Sequence, residues 1–89
     1  MAWRIEYSVL AQRQLKRLDR TSAGHILDYM DKRVAPLDDP HLAGKALTGQ
    51  LSGFWRYRVA DYRVICRIED RRVPVVVVEI GNRRDIYRR

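Results

Sequence analysis

Eighty-nine residues, 46% hydrophobic and 33% charged, specify one small domain spanning 1–89 and exclude a disordered basic tail. A single cysteine, Cys66, excludes an internal disulfide framework and a cysteine-based zinc site, and the two isolated histidines, His25 and His41, lack the spacing of metal ligands. The net charge of +7 is unevenly spread: residues 1–44 carry +1 and residues 45–89 carry +6, and fifteen of the eighteen cations are arginine.

That asymmetry points to an anionic partner for the C-terminal half, either nucleic acid or an acidic protein. The longest apolar run is Val75–Val78, and residues 1–20 carry charges throughout. A reduced, cytoplasmic protein with no membrane association and no signal peptide is therefore expected.

Residues 1–7 alternate, with Trp3, Ile5 and Tyr7 on one side and Arg4 and Glu6 on the other, which predicts a short strand with one buried face. Ser8 is placed to cap a helix over about residues 9–19, with Ala11, Leu15 and Leu18 as its apolar stripe. Thr21 or Ser22 is expected to cap a second helix. Its apolar face comprises Ala23, Ile26, Leu27, Met30, Val34 and Leu37, and it stops near Pro36.

From Lys45 the period changes from helical to twofold. Residues 54–59 form a strand with Trp55, Tyr57 and Val59 on one face and Arg56 and Arg58 on the other. Ala60-Asp61 is a two-residue turn. The next strand, 62–69, sets Tyr62, Val64, Cys66 and Ile68 against Arg63, Ile65 and Arg67. Residues 73–80 show little alternation, as expected of a central strand covered on both faces. The order is β-α-α-β-β-β: an α+β fold in which a two-helix hairpin covers one face of an antiparallel sheet.

The turn at Ala60-Asp61 aligns Val59 with Tyr62, Arg58 with Arg63 and Arg56 with Ile65, so Arg56, Arg58, Arg63 and Arg67 share one face. Like charges directly across strands are destabilising. A bound polyanion offsets that cost, because guanidinium forks take phosphate oxygens in pairs. A second basic cluster, Arg83-Arg84-Asp85-Ile86-Tyr87-Arg88-Arg89, follows the last strand and places one tyrosine among four arginines. A phenol there can stack on a base or move a proton.

Three segments resemble the RelE family of toxins, within the RelE/ParE superfamily of type II toxin–antitoxin systems. They are Lys45-Ala46-Leu47-Thr48-Gly49, then Trp55-Arg56-Tyr57-Arg58-Val59-Ala60-Asp61-Tyr62-Arg63-Val64, then Gly81-Asn82-Arg83-Arg84-Asp85-Ile86-Tyr87-Arg88. The resemblance covers essentially the whole chain and implies a RelE-like fold. It also implies a ribosome-dependent endoribonuclease that enters the ribosomal A site, cuts mRNA and inhibits translation. The implied reaction uses neither metal nor cofactor. The 2′-hydroxyl attacks the adjacent phosphate, leaving a 2′,3′-cyclic phosphate and a 5′-hydroxyl.

The implied partners are the ribosome, mRNA and a RelB-like antitoxin held in a toxin–antitoxin hetero-oligomer. Carried over residue by residue, the family's catalytic positions fall on Arg56, Arg58, Arg63, Arg83 and Tyr87. Lys45, Arg67, Arg84 and Arg88 are the expected RNA contacts. Some relatives have lysines at the positions of Arg56 and Arg58, and many have histidine where this chain has Asn82. Arginine does not readily give up a proton, so Tyr87, its pKa lowered by surrounding cations, is the expected base. The alternatives are a ParE-like gyrase poison on the same fold and a non-catalytic module that binds nucleic acid or antitoxin.

Overall fold

Ser8 ends the first strand and begins the first helix. The computed structural model describes residues 3–68 and 75–82, with only the backbone at Leu42. Strand β1 is Ile5–Tyr7 and helix α1 is Val9–Arg17. The Ser8 hydroxyl oxygen accepts the Ala11 N–H at 3.0 Å, and the hydroxyl donates to the Val78 carbonyl at 2.8 Å. Its backbone N–H donates to Val77 O at 2.8 Å. One residue thus caps a helix and ties it to the last strand. Ser8→Ala removes both side-chain bonds and is expected to cost about 1–2 kcal/mol, lowering Tm by about 5–15 °C in a thermal melt, whereas Ser8→Thr retains most of the stability.

Helix α2, Arg20–Tyr29, begins earlier than expected. Its cap is Asp19, whose carboxylate accepts the Ser22 N–H at 3.0 Å, and neither Thr21 nor Ser22 takes that role. The extended backbone at Leu18 and Asp19 is the whole connection between the helices, so α1 stops at Arg17. The Ser22 hydrogen bonds hold the Asp19 carboxyl below the usual carboxylate range.

α2 runs without a break into a π-helical turn, Met30–Val34, closed by the Ala35 N–H on Met30 O at 2.9 Å. The wider turn keeps Ile26, Met30 and Val34, spaced by four, on one buried face. Leu27, expected on that face, is instead 38% exposed.

Strands β2 (Lys45–Ala46), β3 (Trp55–Val59), β4 (Tyr62–Ile68) and β5 (Val75–Asn82) complete a five-stranded sheet in the order β1-β5-β4-β3-β2. The β2–β5 pairs are antiparallel, as expected. β1 joins β5 in parallel, with Ile5 opposite Val75, which makes the sheet mixed. β2 is two residues long, too short for its period to be read from sequence. β5 lies inside the sheet, between β1 and β4. Val75, Val77 and Ile80 are buried on its core side, while Val76, Val78 and Glu79 are half-buried, so β5 is more alternating than its sequence suggests.

The core joins Ala11, Ile26, Met30 and Val34 of the helical layer to Tyr57, Val64 and Cys66 and to Val75, Val77 and Ile80 of β5. Tyr57 is its largest fully buried side chain. The phenol donates to the Pro40 carbonyl at 2.7 Å, pinning the 3₁₀ turn Pro40–Ala43 over β3. Gly44 ends that turn because a Cβ there would lie 3.1 Å from the Tyr57 ring and 3.3 Å from the Arg56 carbonyl.

Candidate nucleic-acid interface

The β3–β4 hairpin has the register expected from its two-residue turn: Val59 faces Tyr62, Arg58 faces Arg63 and Arg56 faces Ile65. Ala60 in that turn has φ +53°, the left-handed conformation that turns the strand back within two residues. Tyr57, Val59, Val64 and Cys66 point into the core, so Arg56, Arg58, Arg63 and Arg67 occupy the opposite face. Lys45 of β2 pairs directly with Arg56. Two like-charge pairs, Lys45–Arg56 and Arg58–Arg63, therefore lie directly across adjacent strands of one face.

Burial separates these cations. Lys45, Arg58 and Arg67 are exposed, and Arg56 is half-buried. Arg63 is only 3% exposed, and its neighbour Ile65 is 2% exposed. The Arg63 Nε has no hydrogen-bond partner. Among the described residues no carboxylate forms an ion pair with Arg63. A buried guanidinium with no ion pair is costly, and here it faces another cation. An anion seated on this face removes both penalties.

The structure thus brings together Arg56, Arg58, Arg63, Arg67 and Lys45. Arg83, Arg84, Tyr87 and Arg88 lie outside the described residues. β5 ends at Asn82, opposite Tyr62, immediately before Arg83 in sequence and beside the row formed by Arg58, Arg63 and Gly81.

Both histidines lie apart from the arginine face. His41 Nδ1 is 2.6 Å from the Asp39 carboxylate, and the His41 ring meets Trp55 edge-on at 4.5 Å. The hydrogen bonds from His41 hold the Asp39 carboxyl below its usual range. His25 lines a shallow groove of about 430 Å³ with Tyr29, Lys32 and Val59. Burial pushes the Cys66 thiol well up, making it an inert core side chain and not a nucleophile. Among the described residues no helix is long and apolar enough to cross a membrane.

One charged residue of this face was not singled out from sequence. Glu79 lies opposite Ile65, in the same row as Arg56. Its orientation follows from a register shift between β4 and β5 that no sequence period announces.

Residues 5–87 match the family described as the ParE toxin of type II toxin–antitoxin systems, parDE. The chain is 28% identical to Toxin RelG of Mycobacterium tuberculosis over 89 residues, covering 100% of both chains. It is 30% identical to Toxin RelE of the same organism over 86 residues, covering 97% of this chain and 87% of that one. In the crystal structure of the M. tuberculosis toxin–antitoxin complex RelBE2, a chain superposes with a TM-score of 0.84 at 23% identity, covering 93% of this chain and 100% of that one. E. coli toxin RelE, solved with an antitoxin RelB peptide, superposes with a TM-score of 0.72 at 18% identity, covering 92% of this chain and 84% of that one.

A mixed sheet backed by two helices is the fold that this chain shares with these structures. The chain belongs to the ParE toxin family, within the RelE/ParE superfamily of type II toxin–antitoxin toxins.

Proposed function

We propose that this toxin is a ribosome-dependent, metal-independent endoribonuclease that cuts mRNA in the ribosomal A site. The observation that carries the reading is Arg63: an arginine 3% exposed, facing Arg58, with its Nε unpartnered. Such a group suits a phosphodiester that gains negative charge during reaction, because preorganised donors stabilise that charge without reorganising. Arg56, Arg58 and Arg83 join Arg63 in clamping the scissile phosphate. Lys45, Arg67, Arg84 and Arg88 hold the flanking backbone, and Tyr87 moves a proton. The O2′–P bond forms as the P–O5′ bond breaks, leaving a 2′,3′-cyclic phosphate and a 5′-hydroxyl.

The partner that restrains this activity is a RelB-like antitoxin, a reading supported by the RelBE complexes that share the fold. Its charge is opposite to the +7 of this chain. Both act in the cytoplasm.

The match to the ParE family favours a second reading, a gyrase poison. Purified toxin added to translating ribosomes separates the two. Codon-spaced cuts in ribosome-bound mRNA, with free RNA left whole, are the expected result. Intact message alongside gyrase-linked DNA breaks overturns the nuclease reading. Arg83→Ala and Tyr87→Phe are each expected to lower cleavage by about 100-fold or more and to restore growth of cells expressing the toxin. Full toxicity of both variants would refute the assignment of the 83–89 segment to the site.

A further inference from the structure

A β-bulge sets one carboxylate among the arginines. Val75 and Val77 of β5 are fully buried in the core, and uninterrupted alternation would send residue 79 the same way. The register instead slips between Ile65 and Cys66: Cys66 faces Val77 but Ile65 faces Glu79, so Val78 is the extra residue. Ile80 then takes the core position, and Glu79 turns to the opposite face. Bulges commonly re-aim a side chain beside an active site.

Helix α1 secures this one from the side. The Ser8 hydroxyl donates to Val78 O, and the Ile80 N–H donates to the Gln14 side-chain oxygen. Among the described residues Glu79 is the only carboxylate borne by β2, β3, β4 or β5. Its row runs through Ile65 to Arg56 and Lys45. Arg63, paired with Gly81, is its diagonal neighbour on β4, and diagonal pairs lie about 7–8 Å apart, within reach of long side chains.

We propose that Glu79 is the general base of the cleavage. This rests on the nuclease reading above and supplies what its arginines lack, a group that accepts a proton. The phosphate sits on Arg63, and the neighbouring 2′-hydroxyl gives its proton to the Glu79 carboxylate as O2′ bonds to phosphorus. The P–O5′ bond breaks, and O5′ takes a proton from the Tyr87 phenol. This assignment gives Tyr87 the role of acid, where the family resemblance made it the expected base.

The test is single-turnover cleavage of mRNA on programmed ribosomes by the full chain. Glu79→Gln keeps the shape and removes the basicity. It is expected to lower the cleavage rate by about 100-fold or more, with half-saturating toxin concentration changed less than about threefold. Its thermal midpoint and antitoxin binding should stay those of wild type, and Glu79→Asp should recover part of the rate. Wild-type cleavage by Glu79→Gln, or a loss confined to half-saturation, overturns the assignment alone. A wild-type chain that leaves ribosome-bound mRNA whole overturns the nuclease reading and this assignment together.

Discussion

Arg63→Met is expected to abolish cleavage while making the fold more stable. The two effects share one cause. Arg63 is 3% exposed, stands opposite Arg58 and has no carboxylate partner among the described residues. Replacing such a charge with an apolar side chain of similar length removes a desolvation cost and a cross-strand repulsion, a gain of about 1–3 kcal/mol. For a domain of this size that gain raises Tm by about 5–20 °C. On the proposed nuclease reading the same change deletes a fixed donor to the developing phosphate charge, and loss of one such donor costs about 100- to 1,000-fold in rate.

A thermal melt and a ribosome cleavage assay on the same preparation check both halves. A lower Tm would mean that Arg63 is satisfied within the folded chain, and undiminished cleavage would remove it from the site. Arg63→Lys should lie between the two, retaining a charge but losing the fork that grips two oxygens.

Tyr57→Ala is expected to bring the protein close to global unfolding. Deleting a fully buried aromatic side chain costs about 3–5 kcal/mol, against a total of about 5–13 kcal/mol for a chain of this length. Tyr57 is fully buried, tilts against the Tyr29 ring at 6.3 Å and holds the Pro40 carbonyl. Tyr57→Phe isolates the last of these contacts. It leaves the ring in place but strands a carbonyl, for an expected loss of about 1–2 kcal/mol. Burial holds the phenol well above its usual pKa, so it donates as a neutral hydroxyl and this contribution is flat across neutral pH. Urea denaturation of both variants measures the difference, and equal midpoints for Phe and wild type would show that the Pro40 bond adds nothing. Tyr57 lies between Arg56 and Arg58 on β3, so the residue that anchors the core also aims the cations on the opposite face.

Much of this was written in local pattern. Alternation in 54–68, together with the tight turn at Ala60-Asp61, gives the register of the arginine hairpin to the residue, because a two-residue connection allows one alignment. Ser8 as a cap and the paired helices on one sheet face were equally legible. Less so were the Asp19 cap, where three neighbouring residues could each have capped α2, and the π turn at Met30–Val34, which no propensity marks.

The amino-acid sequence by itself determined the charge, its concentration after residue 44 and the hairpin that puts four arginines on one face, because these depend on residue type and near-neighbour spacing. The tertiary structure alone decided three things. β1 pairs in parallel with a strand seventy residues away. Arg63 is buried while Arg58, directly opposite, is exposed. Glu79 faces the arginines because a bulge, held by Ser8 and Gln14 from a distant helix, reverses the alternation of β5. Each depends on contacts between segments far apart in the chain, where packing and hydrogen-bond satisfaction override the local period.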